Sequence, residues 1–443
     1  MTRHRDHRTV RARFPFDPWT LRQTHYDPAD HARDESLFAL GNGYVGLRAA
    51  FEEGAPEGAP SVPGTFLNGF HEREPIAYPE GAYGYARWRQ TLLNVTSAVP
   101  TELRIDGERL DPADVSELER ELDLRAGTLV RRFVWTHSSG ARVRVTHLRA
   151  VSLVQAARVA LRTEVEPLDR DVRVEMRRLV DGRVENQVET GDPRVGAALV
   201  GQVLKPVAHR AEPAGRVALR QRAPGSRMEL ICAADGQVRV NDADVPVEAD
   251  AEPLLGRLSA GADVPAGATF RFDLRAVYLD ARRLAEGQDA SELDHAADAE
   301  LDAYAADGGI DGLLDAQRAE LDAFWERADV EIEGDPAATQ SVRFGLFHLL
   351  QGAGRDGRTN IPSKALTGEG YEGHTFWDTE VYLLPVFLHV RPDIARALLQ
   401  YRVRLLPAAR ERARELHHDG ALFPWRTIDG PEASAYFPAG TAQ

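Results

Sequence analysis

Near Asp280 the hydrophobic repeat of this chain changes from two residues to between three and four, and that switch limits the architecture more than any other feature. Upstream, Thr128-Leu-Val-Arg-Arg-Phe-Val-Trp-Thr136 and Ala141-Arg-Val-Arg-Val-Thr-His-Leu148 alternate apolar and polar residues. They flank the turn His137-Ser-Ser-Gly140, so a hairpin is expected. Asp171-Val-Arg-Val-Glu-Met176 and the run from Phe270 to Tyr278 carry the same period. Strand signals separated by turns, with few helical patterns, predict a large antiparallel β-sandwich over residues 10–275.

Downstream the chain reads as helix. Residues 280–332 form a predicted helical linker, broken into two helices at Gly308-Gly309, with Leu314, Leu321 and Trp325 on one face and Leu313 and Phe324 beside it. Asp335-Pro336 is a cap followed by proline in the first turn. The next helix is expected to bury Val342, Leu346, Leu349 and Leu350. A second helix is expected from about Trp377 to His389, and a third after Pro392-Asp393. Pro407 disfavours helix at Leu406, so a fourth is expected to start there and end at Asp419-Gly420. Helix pairs with loops of unequal length predict an α/α array over residues 335–443. The fold class is therefore α+β and multidomain.

Composition removes several functions. The formal net charge of −15 disfavours binding to phosphate backbones. One cysteine, Cys232, leaves no disulfide framework and no thiolate-only metal site. No run reaches the ~18 apolar residues of a membrane helix. The opening Met1-Thr-Arg-His-Arg-Asp-His-Arg8 has no apolar core after its charges, so a cytoplasmic protein is expected, without nucleic-acid or membrane partners.

Two segments match G-x-G-x-x-G: Gly41-Asn-Gly-Tyr-Val-Gly46 and Gly368-Glu-Gly-Tyr-Glu-Gly373. The first has too little chain after it for a crossover helix, and Glu369 and Glu372 in the second would repel a pyrophosphate. G-x-S-x-G, H-E-x-x-H and paired Cys-x-x-Cys are absent from the sequence. His417-His418 reads as a helix end rather than a metal site. The chemistry-bearing segments are Asn360 to Asp378, and Phe423-Pro-Trp-Arg-Thr427 followed by Glu432, Tyr436 and Phe437. Both mix aromatics with carboxylates, as sugar sites do: a ring packs on the C–H face of a pyranose and a carboxylate accepts from two hydroxyls. On local pattern alone a core aromatic for Trp377, and a helix cap or first-turn acid for Asp378, are the stronger readings.

These residues carry a resemblance. The string from Glu35 to Arg48, with Pro63-Gly-Thr-Phe-Leu67, resembles the amino-terminal signature of glycoside hydrolase family 65. Leu366-Thr-Gly-Glu-Gly-Tyr-Glu-Gly-His-Thr-Phe-Trp-Asp-Thr-Glu380 resembles its first catalytic motif, and Phe423 to Thr427, Gly430-Pro-Glu432 and Pro438-Ala-Gly-Thr441 resemble the next. The family holds maltose, trehalose and kojibiose phosphorylases and related hydrolases. The resemblance implies a β-sandwich, a helical linker and an (α/α)6 barrel, of which this chain would carry the first part. It implies that Trp377 and Asp378 bind the glucosyl unit, and that Trp425, Thr427 and Glu432 line the same pocket. His374 of the same string and Lys364, where many members have a basic residue, complete the implied substrate-binding set.

The family's general acid is a glutamate in a downstream Gly-Pro-Asp-Glu, a string that is absent here. The resemblance therefore implies an acid beyond Gln443, the last residue of the sequence, and no catalytic residue is assigned within the chain. Twelve barrel helices need roughly 250–400 residues, against about a hundred after Asp335. A truncated chain is therefore expected, with apolar faces exposed, weak sugar binding and no turnover of its own. The implied reaction is inverting cleavage of an α-glucosidic disaccharide by phosphorolysis or hydrolysis, without a cofactor, with inorganic phosphate as co-substrate in the first case. A disaccharide is the expected partner, with a homodimer as the assembly to test. The rival reading is a non-catalytic sugar-binding or assembly module.

Overall fold

In the computed structural model, residues 13–78, 83–188, 199–285 and 287–433 are described. The expected hairpin is present: Thr128–Thr136 runs antiparallel to Arg142–Val151, with Thr136 opposite Arg142. It sits in a ten-stranded sheet. The strand order there is Thr20–Gln23, Val115–Asp123, Thr128–Thr136, Arg142–Val151, Arg158–Pro167, Phe270–Asp280, Glu229–Val240, Arg216–Arg222 and Lys205–Glu212, with Ala243–Val245 paired to Glu229–Val240. A five-stranded sheet centred on Val172–Asp181 packs on one face, so that Val174, Met176 and Leu258 share a core with Val145, Leu219 and Ala234. A four-stranded sheet joins Leu40–Gly41, Val45–Leu47, Thr65–Pro75 and Trp88–Asn94. Every ladder between these strands is antiparallel.

The helices are α1 (His31–Leu37), α2 (Leu293–Ala306), α3 (Gly309–Ala328), α4 (Pro336–Gly352), α5 (Leu384–Val390) and α6 (Pro392–Glu415). Gly308, at φ +90°, separates α2 from α3 where the double glycine predicts a break. These two helices form a further layer. Leu293, Leu301 and Tyr304 of α2 pack on Ile231, Ala233 and Val277 of the large sheet. Gln317 of α3 donates to the carbonyls of Ala126 and Gly127 at 3.0 and 2.8 Å, and the Trp325 indole donates to Leu124 at 2.9 Å. The strand Glu229–Val240 is thus covered on both faces, which is why Leu230 to Ala234 reads as a continuous apolar run.

Asp335 caps α4 by accepting from the Ala338 amide at 3.0 Å. Its buried stripe differs from the expected one. Phe347 and Leu350 are buried, as is Arg343, which pairs with Asp329, while Val342, Leu346 and Leu349 are half-buried. Pro407 does not start a fourth helix; α6 runs 24 residues through it. Pro407 and Val403, whose carbonyl loses its amide partner, both lie on the solvent side, where water replaces the bond. The helix also ends before Asp419. The amides of His417 and His418 turn back to the carbonyls of Arg414 and Ala413, with His417 left-handed at φ +57°, which is a Schellman closure. The histidine pair therefore sits at a helix end, as expected, through its backbone.

Apolar side chains stand outward on this helical part, among them Val381, Tyr382, Leu388, Leu399 and Val403, the last two one turn apart on α6. Among the described residues no helix is long and apolar enough to cross a membrane.

The four-stranded sheet carries the helical part through close backbone contact. Gly41 to Gly46 is a β-turn, not a phosphate loop: Asn42 Oδ1 accepts from the amides of Tyr44 and Val45 at 2.9 and 2.8 Å. A Cβ on Gly43 would stand 1.8 Å from the Ala353 carbonyl oxygen, and one on Gly46 would stand 2.3 Å from Leu366 Cβ. Gly43 is also left-handed, at φ +84°. Gly43→Ala is therefore expected to cost about 2–5 kcal/mol, the sum of left-handed strain and overpacking. Gly54→Ala, at φ +96° with nothing within 4 Å of its Cβ, should lose only the backbone part. Urea melts of the two variants compare these costs directly.

Candidate sugar-binding site

Two loops carry the aromatic and acidic residues singled out in the sequence, and a short ladder joins them. Thr375-Phe376 pairs antiparallel with Arg426-Thr427. This sets Trp377 beside Trp425, their rings 6.3 Å apart and tilted by 50°. The Trp377 indole donates to the Pro424 carbonyl at 2.8 Å, which locks the ring against the second loop. Phe376 meets Trp425 edge-on at 6.1 Å, and Tyr371 meets Phe376 at 5.3 Å.

Trp377 is 40% exposed. Asp378, next to it, is exposed, and its carboxylate makes no hydrogen bond or ion pair among the described residues. An exposed ring beside a free carboxylate on a braced turn offers a stacking face and a hydrogen-bond acceptor side by side.

The other residues singled out take supporting places. Glu432 accepts from the Trp425 amide at 2.7 Å and so closes its loop. Thr427 is fully buried, and its hydroxyl accepts from the Gly430 amide at 2.8 Å. His374 is fully buried, and burial and the nearby Arg426 hold it well below the ordinary imidazole range, so it is neutral. Lys364 is exposed on the strand Ser363–Leu366, and its ammonium has no partner among the described residues. The segment Pro438 to Thr441, with Tyr436 and Phe437, lies outside the described residues. So does Gln443, the position beyond which the general acid is expected.

Comparison with known proteins decides the family. Residues 21–324 match the N-terminal domain of glycosyl hydrolase family 65, and residues 343–442 match its central catalytic domain. The chain belongs to glycosyl hydrolase family 65. It is 39% identical to the α,α-trehalose phosphorylase of Thermoanaerobacter brockii over 98% of its own length and 56% of that relative. It is 32% identical to the kojibiose phosphorylase of Caldanaerobacter subterraneus subsp. tengcongensis over 93% of this chain and 51% of the relative. A solved human-microbiome protein, provisionally named a kojibiose phosphorylase, superposes with a TM-score of 0.84 at 23% identity, over 96% of this chain and 53% of that one. The chain thus spans about half the length of the relatives it matches. The family 65 N-terminal match runs through α2 and into α3, in keeping with their packing on the large sheet.

Several supports of these two loops are not legible in the sequence. Glu380 receives both Arg402 Nε and Nη2, at 2.8 and 2.7 Å, and Asn360 Nδ2 at 2.9 Å. Arg402 also donates to the Phe376 carbonyl at 2.9 Å, so α6 braces the turn from which Trp377 projects. Gln90, on the four-stranded sheet, accepts from the Ile428 amide at 2.7 Å and donates to Asp429. Glu380 closes the string that carries the family resemblance, and that was its one signal. Arg402 and Gln90 had none, because their partners come from other elements.

Glu369 and Glu372 read in sequence only as obstacles to phosphate, yet both are buried. Burial raises the Glu369 carboxyl to about 7, although the Gln187 amide, at 2.6 Å, and Arg48 pull it down. Burial likewise raises Glu372, opposed by Arg426 and Arg89. A carboxyl with a folded pKa of about 7 against 4.5 binds its proton more tightly when folded. Its contribution to stability is full below 4.5 and is lost as pH rises to about 7. Glu369→Gln should therefore gain stability relative to the parent between pH 5 and 8, by on the order of 2–3 kcal/mol, measured as the difference between their urea midpoints across pH. A constant difference across that range would refute the raised value.

Proposed function

We propose that this chain supplies one wall of the glucosyl pocket of an enzyme that cleaves an α-glucosidic disaccharide with inversion, and that inorganic phosphate is the attacking group. The observation that carries this reading is the exposed Trp377–Asp378 pair held against the Trp425–Glu432 loop by the ladder between them. The phosphorylase names of its relatives favour phosphate over water. The trehalose phosphorylase, at higher identity than the kojibiose enzyme, makes trehalose the first substrate to try.

In this reading Trp377 packs on the C–H face of the glucosyl ring and Asp378 accepts from two of its hydroxyls. Trp425 closes the side of the ring, held in place by Glu432, with Thr427 and the neutral His374 beneath. Lys364 lies at the rim. A carboxylic acid protonates the glycosidic oxygen while a phosphate oxygen attacks the anomeric carbon from the opposite face. The bond to the leaving sugar breaks as the bond to phosphate forms, giving glucose 1-phosphate of inverted configuration and a free sugar. No residue of these 443 is assigned as that acid, and this reading places it beyond Gln443. We divide the chain accordingly: a sandwich over 10–275, a helical linker over 280–332, and the first part of an (α/α)6 barrel over 335–443.

The test uses the 443-residue chain and a polypeptide extended along the reading frame downstream of codon 443. Each is incubated with trehalose, maltose and kojibiose, with and without phosphate. Phosphate-dependent glucose 1-phosphate from the extended polypeptide alone is expected. Asp378→Ala should lower that rate by roughly 10²–10⁴-fold, because orientation of the reacting sugar is lost. Glucose release without phosphate would replace phosphorolysis by hydrolysis. Turnover by the shorter chain would make Glu432 the first suspect for the acid.

A further inference from the structure

Beside Pro431 and Glu432, the end of α6 faces Tyr78 and Tyr83 to Trp88, which lie between Pro75 and Arg89 on the connection from Thr65–Pro75 to Trp88–Asn94. Two cavities of about 500 and 180 Å³ open there. Both are lined by Ala86, Arg87, Arg412 and Glu415, so they form one groove. Tyr78, Tyr83 and Tyr85 line its wide end, and Trp88, Pro431 and Glu432 its narrow end. The wide end falls within the ~300–1,000 Å³ of ordinary small-ligand sites.

The aromatic rings are braced yet accessible. Tyr83, 62% exposed, stacks on His417 with ring centres 5.9 Å apart and planes 11° apart. His417 holds that place because the Schellman turn of α6 sets its left-handed backbone. Trp88, 37% exposed, carries the Arg73 guanidinium over its face at 4.4 Å. Tyr78 donates to the Ala86 carbonyl at 2.9 Å and leans on Tyr85 at 4.7 Å.

The polar groups are pre-arranged as well. Arg87 and Arg412 both approach Glu415, at 3.3 and 3.6 Å, and Arg412 holds the Gly84 carbonyl. Three arginines, Arg73, Arg87 and Arg412, are balanced by Glu411, Glu415 and Glu432 among the lining residues. A groove with no net charge does not select an anion. Rings for C–H faces and paired donors and acceptors for hydroxyls select a neutral sugar.

We propose that this groove is a second carbohydrate-binding site, which takes a neutral gluco-oligosaccharide of disaccharide size or longer beside the Trp377–Trp425 cluster. The choice of sugar class rests on the proposed function, while the groove itself does not. Because the groove is built from groups within this chain, it binds without the general acid and without the Asp378 carboxylate.

Saturation-transfer NMR titrations of the 443-residue chain with trehalose and with maltotriose test this. Tyr83→Ala and Arg87→Gln alter exposed side chains, and circular dichroism melts check that both variants fold. Each should weaken binding about tenfold, as loss of one stacking or charge-assisted contact does. Asp378→Asn should weaken that binding less than either groove variant does. Binding that falls in Asp378→Asn and is untouched in the groove variants would overturn the groove and keep the proposed function. Equal losses in all three variants would overturn an independent groove. No binding of either sugar by the parent chain would overturn the groove as well, and would leave the phosphorolysis assay of the extended polypeptide to stand or fall alone.

Discussion

The candidate site depends on a contact between two backbones. The turn of Leu40 to Leu47 lies against the carbonyl of Ala353 and the side chain of Leu366 so closely that only glycine fits at Gly43 and Gly46. Polar groups seal the same contact. Asn68 Nδ2 donates to the carbonyls of Gly43 and Asn360, at 2.9 and 2.8 Å. Arg48 donates to Ser36 Oγ at 2.7 Å and to the carbonyls of Ala32, Val62 and Thr367. One guanidinium thus ties α1, a loop of the four-stranded sheet and the loop that leads to Trp377. In a dry contact each of these donors would be costly to leave unpaired, so the helical part has one seating on the sheet.

From that seating the order propagates to the surface. Asn360, held by Asn68, donates to Glu380; Glu380 receives Arg402; Arg402 holds the Phe376 carbonyl. The chain of bonds ends one residue short of Trp377. On the other loop, Gln90 reaches from the sheet to Ile428 and Asp429, and His71 faces Asp429 at 3.4 Å. Burial acts to raise the Asp429 carboxyl, but the His71 and Gln90 contacts and Arg73 hold it below the usual carboxylate range. Both aromatic loops are therefore anchored to the same sheet and joined to each other by the ladder of Thr375-Phe376 with Arg426-Thr427.

The large sheet is a platform with different neighbours on its two faces. The five-stranded sheet covers one, and α2 with α3 the other. The helical part after Gly334 has a different balance. Its inner faces are buried on the sheets, whereas Leu399, Val403, Val381 and Tyr382 point to solvent. Exposed apolar residues on helices of this kind are surface that further packing would remove from water. The relatives, about twice as long, have additional chain to offer.

Sequence alone determined the features that arise from residues close together in the chain. The period-2 hairpin of Thr128–Thr136, the break at Gly308-Gly309 and the Asp335 cap are set by side-chain alternation, backbone freedom and a hydrogen bond spanning three residues. The strings around Trp377 and Trp425 stood out in the sequence as aromatic-plus-carboxylate loops, and the ladder between Thr375-Phe376 and Arg426-Thr427 brings them together. What only the tertiary structure decided came from partners far along the chain. Pro407 stays inside a helix because its outer face is in water, and Val342, Leu346 and Leu349 stay half-exposed because the surface that α4 meets selects Phe347 and Leu350. Glu369 is raised because a loop from the sandwich buries it, and Arg402 finds Glu380 because α6 folds back over the turn. Burial and pairing are properties of assembled surfaces, and a one-dimensional pattern records which residues could take part but not which neighbours they meet.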